Sequence, residues 1–560
     1  MLSLWRKPIF AIWLATAAWG SWELRHGGCG VTWDEPTYTI AAAAYAGFFG
    51  HSETAEPWRL NHEHPPLAKY AIACGQMLWL IATGEPDFLL MGGRLASLVF
   101  FALMLTAVWL LLAPLDSQAA AMAVLLCAAC PRLVGEAQLA TLDMPLACFW
   151  LWALLAYERA TQPASSARWR AAACLLYACA FLTKFSAIAL APALLAWRLI
   201  LYALTRRKMA IAGENSQRFP WNDIALWCIM QACALLMLVA IWPWLWKDTI
   251  DRLLNYLRFS LHHNMAPVMY FGKAYGANWQ WDSPPWHYAP VMLLITTPIF
   301  VTFGAILSCG WLLDATRHSA APNSSRPAGL RIISLCLLGC AMLPLATMMP
   351  KSVVYDGVRL FLPAIPLICC LAGWGWRWLT LRAASYKPIW LRRPIACAPS
   401  AIALVLVVFC RAAVTCDLGY YNLLIGGPAG AEKMGMEVCY WCVLLPRAKH
   451  PSGGWQALCE QARPHSAPPY RIRLVGVGEK HHGDFLRLIG DIPDNERFAV
   501  VTDESWNVAV VVNRCSLRET SDFLAAFPPT AGRGEYLVTC LPTRIWPLKG
   551  AAGVYIFGRR

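Results

Sequence analysis

The chain has 560 residues, 58% hydrophobic and only 14% charged, with a mean hydropathy of +0.45. A soluble domain carries about a quarter charged residues, so this composition excludes an ordinary soluble fold and points to a membrane protein. The 47 Lys+Arg against 33 Asp+Glu leave a net charge of +14, but the basic residues sit in short connections beside apolar runs, which speaks for membrane topology and against a nucleic-acid partner.

The first apolar run, Pro8 to Trp22, follows Arg6 and Lys7 without a small-residue cleavage site, and reads as a retained first span. Four more basic clusters follow, at Arg159/Arg168/Arg170, Arg206/Arg207/Lys208, Arg317/Arg326/Arg331 and Arg377/Arg382/Lys387/Arg392/Arg393. If all are cytoplasmic, the apolar runs between them must pair. The stretch between the first two clusters holds Pro8–Trp22, Leu67–Thr83, Leu95–Ala113, Gln118–Cys130 and Met144–Tyr157, an odd set. Leu67–Thr83 opens on Pro65-Pro66 and contains Lys69, Gly75 and Gln76, so it is expected as an interfacial helix on the outer leaflet. The remaining spans, near 170–183, 185–204, 224–246, 289–313, 330–349, 358–378 and 395–415, bring the expectation to about eleven transmembrane helices. The outer face then receives a long first loop (23–93), the Arg132–Asp143 loop, the turn at Lys184, the Lys247–Tyr288 loop, the Lys351–Gly357 loop and everything past Cys416.

That tail changes character. Alternating apolar runs at Arg471–Gly478, Phe498–Thr502, Val508–Asn513, Glu535–Leu541 and Val554–Phe557 read as strands, with short helices at Phe485–Ile489 and Ser521–Phe527. The fold class expected is therefore an α-helical polytopic membrane protein with a small extracytoplasmic α/β domain at its C-terminus, divided as 1–415 and 416–560. Of the 22 cysteines, many lie inside apolar runs as small hydrophobes; the disulfide pattern of those in the tail stays open.

The candidate chemistry gathers at the outer boundary. Trp33-Asp34-Glu35-Pro36 precedes a helix, where Asp34 or Glu35 can cap free N–H groups or act as a general base. Asn61-His62-Glu63-His64-Pro65-Pro66-Leu67 organises a loop; its two histidines at i, i+2 before a Pro-Pro have no firm zinc geometry. Lys69 and Arg94 are cations at the outer ends of apolar runs, placed to neutralise a lipid phosphate or simply to snorkel. Asp143 stands at the boundary as an N-cap or as a carboxylate needing a cation, and Lys184 and Arg359 have the same placement. So many charges along one leaflet suggest a site for an anionic, lipid-linked substrate.

Asp34-Glu35, His64-Pro65-Pro66-Leu67, Arg94, Asp143-Met144-Pro145 and Arg359-Leu360-Phe361-Leu362-Pro363, in this order and on one side, resemble the GT-C membrane glycosyltransferases, nearest the protein O-mannosyltransferases and the lipid A aminoarabinose transferase. The resemblance covers 1–415; beyond it Gly419-Tyr420-Tyr421-Asn422 and Gly426-Gly427-Pro428 resemble the tail of bacterial members, which tend to show Tyr-Trp-Gly where this chain has Tyr440-Trp441-Cys442. It implies an inverting transfer of a hexosyl or pentosyl group from a polyprenyl-phosphate sugar to a protein, lipid or glycan acceptor, in the plasma membrane and on its extracytoplasmic face. Asp34 would serve as base, with Glu35 and Asp143 as the other catalytic candidates. Lys69, Arg94, Lys184 and Arg359 would bind the donor phosphate, and Asp143 would position the acceptor or hold a divalent metal, the one cofactor left open. His64, Trp286, His287 and Tyr288, with Trp279 and Trp281, would organise loops or stack on sugar or prenyl groups.

A transporter or flippase for a lipid-linked sugar is the competing expectation. It calls for midplane ionisable residues and related halves, whereas here the charges border one face and no duplication is visible. A scaffold that merely displays the tail leaves those charges unexplained.

Overall fold

The computed structural model describes residues 2–26, 32, 34–47, 56–84, 88–211, 218–262, 268–276, 283–317, 326–350, 352–385, 387–413 and 417–438, with strands at 470–475, 498–500, 508–512, 535–538 and 554–558. In chain order come α1 (Leu2–His26), α2 (Glu35–Tyr45), α3 (Leu67–Thr83), α4 (Phe88–Leu112), α5 (Ser117–Ala129), α6 (Pro131–Ala137), α7 (Asp143–Ala160), α8 (Ala167–Phe181) and α9 (Leu190–Ile211). They continue with α10 (Trp221–Ile241), α11 (Thr249–Leu261), the hairpin β1 (Val268–Tyr270) and β2 (Lys273–Tyr275), α12 (Tyr288–Thr296), α13 (Ile299–Arg317), α14 (Arg326–Thr347), α15 (Ala364–Ser385), α16 (Ile389–Ala413) and α17 (Gly427–Lys433).

Among the described residues, six helices are long and apolar enough to cross a membrane: Leu89–Leu112, Phe185–Arg207, Trp221–Ile241, Ile299–Thr316, Ala328–Thr347 and Ala364–Ser385. This is a multi-pass membrane protein. The difference from the expected eleven has physical causes. α8 has 15 residues, and α7 carries Asp143, Glu158 and Arg159 within 18. α5 coincides with the expected span Gln118–Cys130 but has only 13 residues; at Pro131 the axis swings by 74° into α6, and the bent pair makes a seventh span if counted as one.

Charges collect at the two ends of these helices, with an apolar core between. α7 starts on Asp143 and ends beside Glu158, about 22 Å along its axis. At the Glu158 end lie Arg331–Glu158 at 3.3 Å, Arg377–Asp116 at 2.8 Å and Arg198–Asp223 at 2.5 Å. Asp116 also caps α5, its Oδ1 accepting from the N–H groups of Gln118 and Ala119 at 2.9 Å. Trp150, Trp197 and Trp242 are fully buried in one continuous core. The opposite end, where α2, α4, α7 and α15 begin and α8 stops, holds the candidate site.

α3, the expected interfacial helix, is a 17-residue helix laid against α2 and α4. Its backbone meets α4 through glycines: a Cβ on Gly75 would stand 2.2 Å from the Gly92 carbonyl oxygen, and one on Gly92 2.3 Å from Gln76 Cα. This contact fixes α3 beside the Arg94 turn of α4.

The five strand-like runs of the tail coincide with β3 (Tyr470–Val475), β4 (Phe498–Val500), β5 (Val508–Val512), β6 (Glu535–Val538) and β7 (Val554–Gly558), in a mixed sheet of order β4-β3-β5-β7-β6. β3 pairs in parallel with β4 and β5, and β7 antiparallel with β5 and β6. The expected helices Phe485–Ile489 and Ser521–Phe527, and the tail cysteines, lie outside the described residues.

Candidate active site

Asp34 and Glu35 are adjacent, and the fold gives them different work. Glu35 is wholly buried at the start of α2. Arg94 grips it bidentately, Nε to Oε1 and Nη2 to Oε2, both at 2.8 Å. The Ala140 N–H donates to Oε1 at 2.9 Å, and Thr32 donates to Oε2 through its N–H at 2.9 Å and its hydroxyl at 3.3 Å. A carboxylate so saturated ties the first loop, α4 and the segment before α7 into one frame. Glu35, expected as a base candidate, and Arg94, expected at the donor phosphate, are thus paired with each other in the structure.

Asp34 carries its carboxylate the other way. It occupies the N-cap of α2 but makes no side-chain cap bond; instead Oδ2 accepts from Arg359 Nη1 at 2.5 Å, with 22% of its side chain still exposed. Arg359 comes from a turn in which Asp356 (φ 53°) and Gly357 (φ 65°) adopt left-handed backbone, strained for the aspartate. That turn lets Asp356 Oδ2 approach Arg359 at 3.5 Å and sets the guanidinium 5.1 Å over the Tyr355 ring. Asp143, the first residue of α7, makes no cap bond either; Lys184 Nζ donates to its Oδ1 at 2.6 Å, and both side chains are nearly buried. The two acid–base pairs thus come from four separate parts of the chain.

Lys69 does not join them. Its ammonium has three N–H donors, and these go to the Asn61 carbonyl at 2.5 Å, the Asn61 Oδ1 at 3.2 Å and the His64 carbonyl at 2.8 Å. Burial pulls its pKa well down, opposed only by Glu63. Lys69, expected at the donor phosphate, thus clasps the loop that ends at Pro66 in the structure. His64 belongs to the same loop, its ring 6.1 Å from Tyr38. Of the aromatic candidates, Trp286 is 64% exposed, His287 Nδ1 is 2.8 Å from the Tyr270 hydroxyl, and the buried Tyr288 hydroxyl donates to the Gly357 carbonyl at 3.5 Å. His287 and Tyr288 brace the hairpin and the Arg359 turn. Trp279 and Trp281 lie outside the described residues.

Sequence reasoning missed three participants. Tyr38, one turn after Asp34 on α2, is buried within the fields of Asp34, Arg359 and Asp143; burial raises its phenol well above the ordinary range, Asp34 and Asp143 add to this, and the hydroxyl keeps its proton. The i, i+4 spacing from Asp34 was its available signal. Arg132 and Glu136, one turn apart on α6, are both buried at the same end. Arg132 Nε donates to the Tyr420 carbonyl at 3.1 Å and the guanidinium stands 5.0 Å over Tyr421, so the Gly419-Tyr420-Tyr421-Asn422 stretch packs back onto the helical core.

Among the described residues no three His, Cys, Asp or Glu side chains gather into a set that could hold a metal. Asp143, the candidate for the divalent metal left open above, is engaged by Lys184.

Residues 63–246 match the family of dolichyl-phosphate-mannose-protein mannosyltransferases. No curated protein matches the chain in sequence. Among solved structures, it is similar to ArnT from Cupriavidus metallidurans bound to undecaprenyl phosphate, at 17% identity over 99% of this chain and 97% of that one, with a TM-score of 0.46. It is also similar to the oligosaccharyltransferase AglB from Archaeoglobus fulgidus in complex with an inhibitory peptide and a dolichol-phosphate (12% identity, 90% and 69% covered, TM-score 0.44). A third is the S. cerevisiae protein O-mannosyltransferase Pmt1-Pmt2 complex bound to the sugar donor (17% identity, 47% and 39% covered, TM-score 0.31). The family match takes in His64-Pro65-Pro66, Arg94, Asp143 and Lys184, and through it the chain resembles the GT-C membrane glycosyltransferases of the protein O-mannosyltransferase kind.

Proposed function

We propose that the protein transfers a sugar from a polyprenyl-phosphate-linked donor to an acceptor at the extracytoplasmic face of the membrane, inverting the anomeric carbon. The acceptor hydroxyl attacks that carbon, the bond to the phosphate oxygen breaks, and the electron pair leaves with the phosphate. Asp34 takes the hydroxyl's proton. Arg359 and Lys184 face the charge that develops on the departing phosphate, and Asp143 holds Lys184 in place. Tyr38 offers an O–H to the same space. About eleven spans, counting α1, α5, α7, α8 and α16, would set this end of the bundle outside, with 416–560 as a unit aiding acceptor recognition.

The observation that carries the reading is the meeting of Asp34–Arg359 and Asp143–Lys184 at one end of the bundle, with Asp34 the carboxylate left partly open. The family match over residues 63–246 supports a lipid-phosphate donor. Incubating the purified protein with a panel of polyprenyl-phosphate sugars and following the carrier by mass spectrometry tests it. Release of free polyprenyl phosphate together with a glycosylated acceptor is expected; translocation of intact donor without release would favour a flippase instead.

A further inference from the structure

Glu136 is completely buried on α6, and neither of its carboxyl oxygens has a hydrogen-bond partner. It is not in an apolar pocket. The charged groups whose fields reach it are Asp143 from α7, Arg359 from the turn before α15, Lys184 from the end of α8, and Arg132 from its own helix. Arg94, from α4 packed beside α6, is taken up by Glu35. A carboxylate shut away from water without a single N–H or O–H donor is costly, and binding a proton is the simplest relief. The nearest ion pairs offer it no spare cation: Arg359 already faces both Asp34 and Asp356, and Lys184 is bound to Asp143.

We propose that Glu136 holds a proton in the resting protein and is a positioning residue whose protonation sets how strongly the site retains the phosphate of its lipid-linked ligand. The inference rests on the donor reading of the same site. Neutral Glu136 leaves the fields of Lys184 and Arg359 available to the phosphate; loss of its proton adds a negative charge beside them and expels the anion. Proton and phosphate therefore bind with positive coupling, which is reciprocal. As pH rises through the Glu136 titration, affinity for the phosphate falls, at most about tenfold per pH unit for a single proton.

The test uses the full-length protein in lipid nanodiscs with a polyprenyl phosphate as probe, and its dissociation constant measured from about pH 6 to about pH 9. Wild type is compared with Glu136→Gln and with the apolar Glu136→Leu, which guards against a folding defect in either one. The phosphate's own ionisation affects all three equally and cancels in the comparison. The wild-type curve should weaken more steeply with pH than either variant, by about tenfold or more at the alkaline end, and all should agree at the acid end. Parallel curves with firm binding would overturn this inference and leave the donor reading standing. A tenfold loss in Glu136→Gln already at the acid end would also overturn it, since a neutral isostere should suffice. No binding by any of the three at any pH would sink the donor reading and this inference with it.

Discussion

Arg359 and Asp34 stand 325 positions apart in the chain, yet Nη1 meets Oδ2 at 2.5 Å, so the last candidate cation of the sequence closes on the first candidate acid. The contact leaves Glu35 to Arg94 and thereby splits an adjacent acidic pair into one buried carboxylate and one that stays partly exposed. The two predictions that follow turn on that split.

Asp34→Asn should fold normally and bind a polyprenyl phosphate, but transfer should fall by about 10²–10⁴. The side chain makes no cap bond, so α2 itself loses nothing, and Arg359, unlike Lys184 in its pair with Asp143, keeps a second carboxylate in Asp356 at 3.5 Å. Thermal unfolding and a donor-saturated rate assay check both halves. Near-normal transfer would move the base to Asp143.

Arg94→Ala should behave in the opposite way. It leaves Glu35 buried without its counter-ion, which costs about 3–5 kcal/mol of stability. In whatever fraction stays folded, affinity for a polyprenyl phosphate should be close to normal. Pairing Arg94→Met with Glu35→Gln should regain much of the lost stability, measured by thermal unfolding in detergent. A large affinity loss in a stable Arg94 variant would restore the phosphate role.

The legible part of this protein was what period, order and sidedness encode. Asp34, Asp143, Lys184 and Arg359 were found because each interrupts an apolar run at the same end, and the strand-like runs of the tail were found by alternation. Pairing was not legible. Nothing local distinguishes Lys69 from Lys184, both cations at the end of an apolar run; only the folded loop places the Asn61 and His64 carbonyls around the first and Asp143 beside the second. Glu136 was not singled out within the expected Arg132–Asp143 outer loop, because burial is a tertiary property. The expected run already ended at Cys130, before Pro131, but nothing local showed that the next residues form a helix bent by 74° from it. Sheet order was hidden too, since β7 enters between β5 and β6 from the far end of the chain.

α3 should lie along the outer leaflet without crossing. In a background stripped of the 22 native cysteines, Gly84→Cys after α3 and Lys273→Cys in the β1–β2 hairpin should both react with an impermeant thiol reagent added from the outside. Both positions are exposed, so access is not limited by packing. Labelling of the two from opposite sides would make α3 a span and reverse the parity of the first loop.

The Asp143–Lys184 pair allows stability and catalysis to be separated within one interaction. Its atoms are 2.6 Å apart and its side chains are 3% and 10% exposed, so removing either partner strands a nearly buried charge. Lys184→Met alone should cost about 3–5 kcal/mol, and Asp143→Asn alone should also destabilise, because an unpaired ammonium is left in its place. The double variant Asp143→Asn with Lys184→Met strands nothing and should recover to within about 1 kcal/mol of wild type by thermal unfolding. Its chemistry should not recover. If Lys184 faces the departing phosphate, its loss removes a fixed cation that acts more strongly as charge develops, and the maximal transfer rate should stay down by about 10²–10³. The split between the two kinetic parameters is informative: a loss confined to donor KM would assign Lys184 to ground-state binding, whereas a fall in kcat assigns it to the leaving group. A double variant that regained both stability and full transfer would show that the pair only ties α7 to the end of α8.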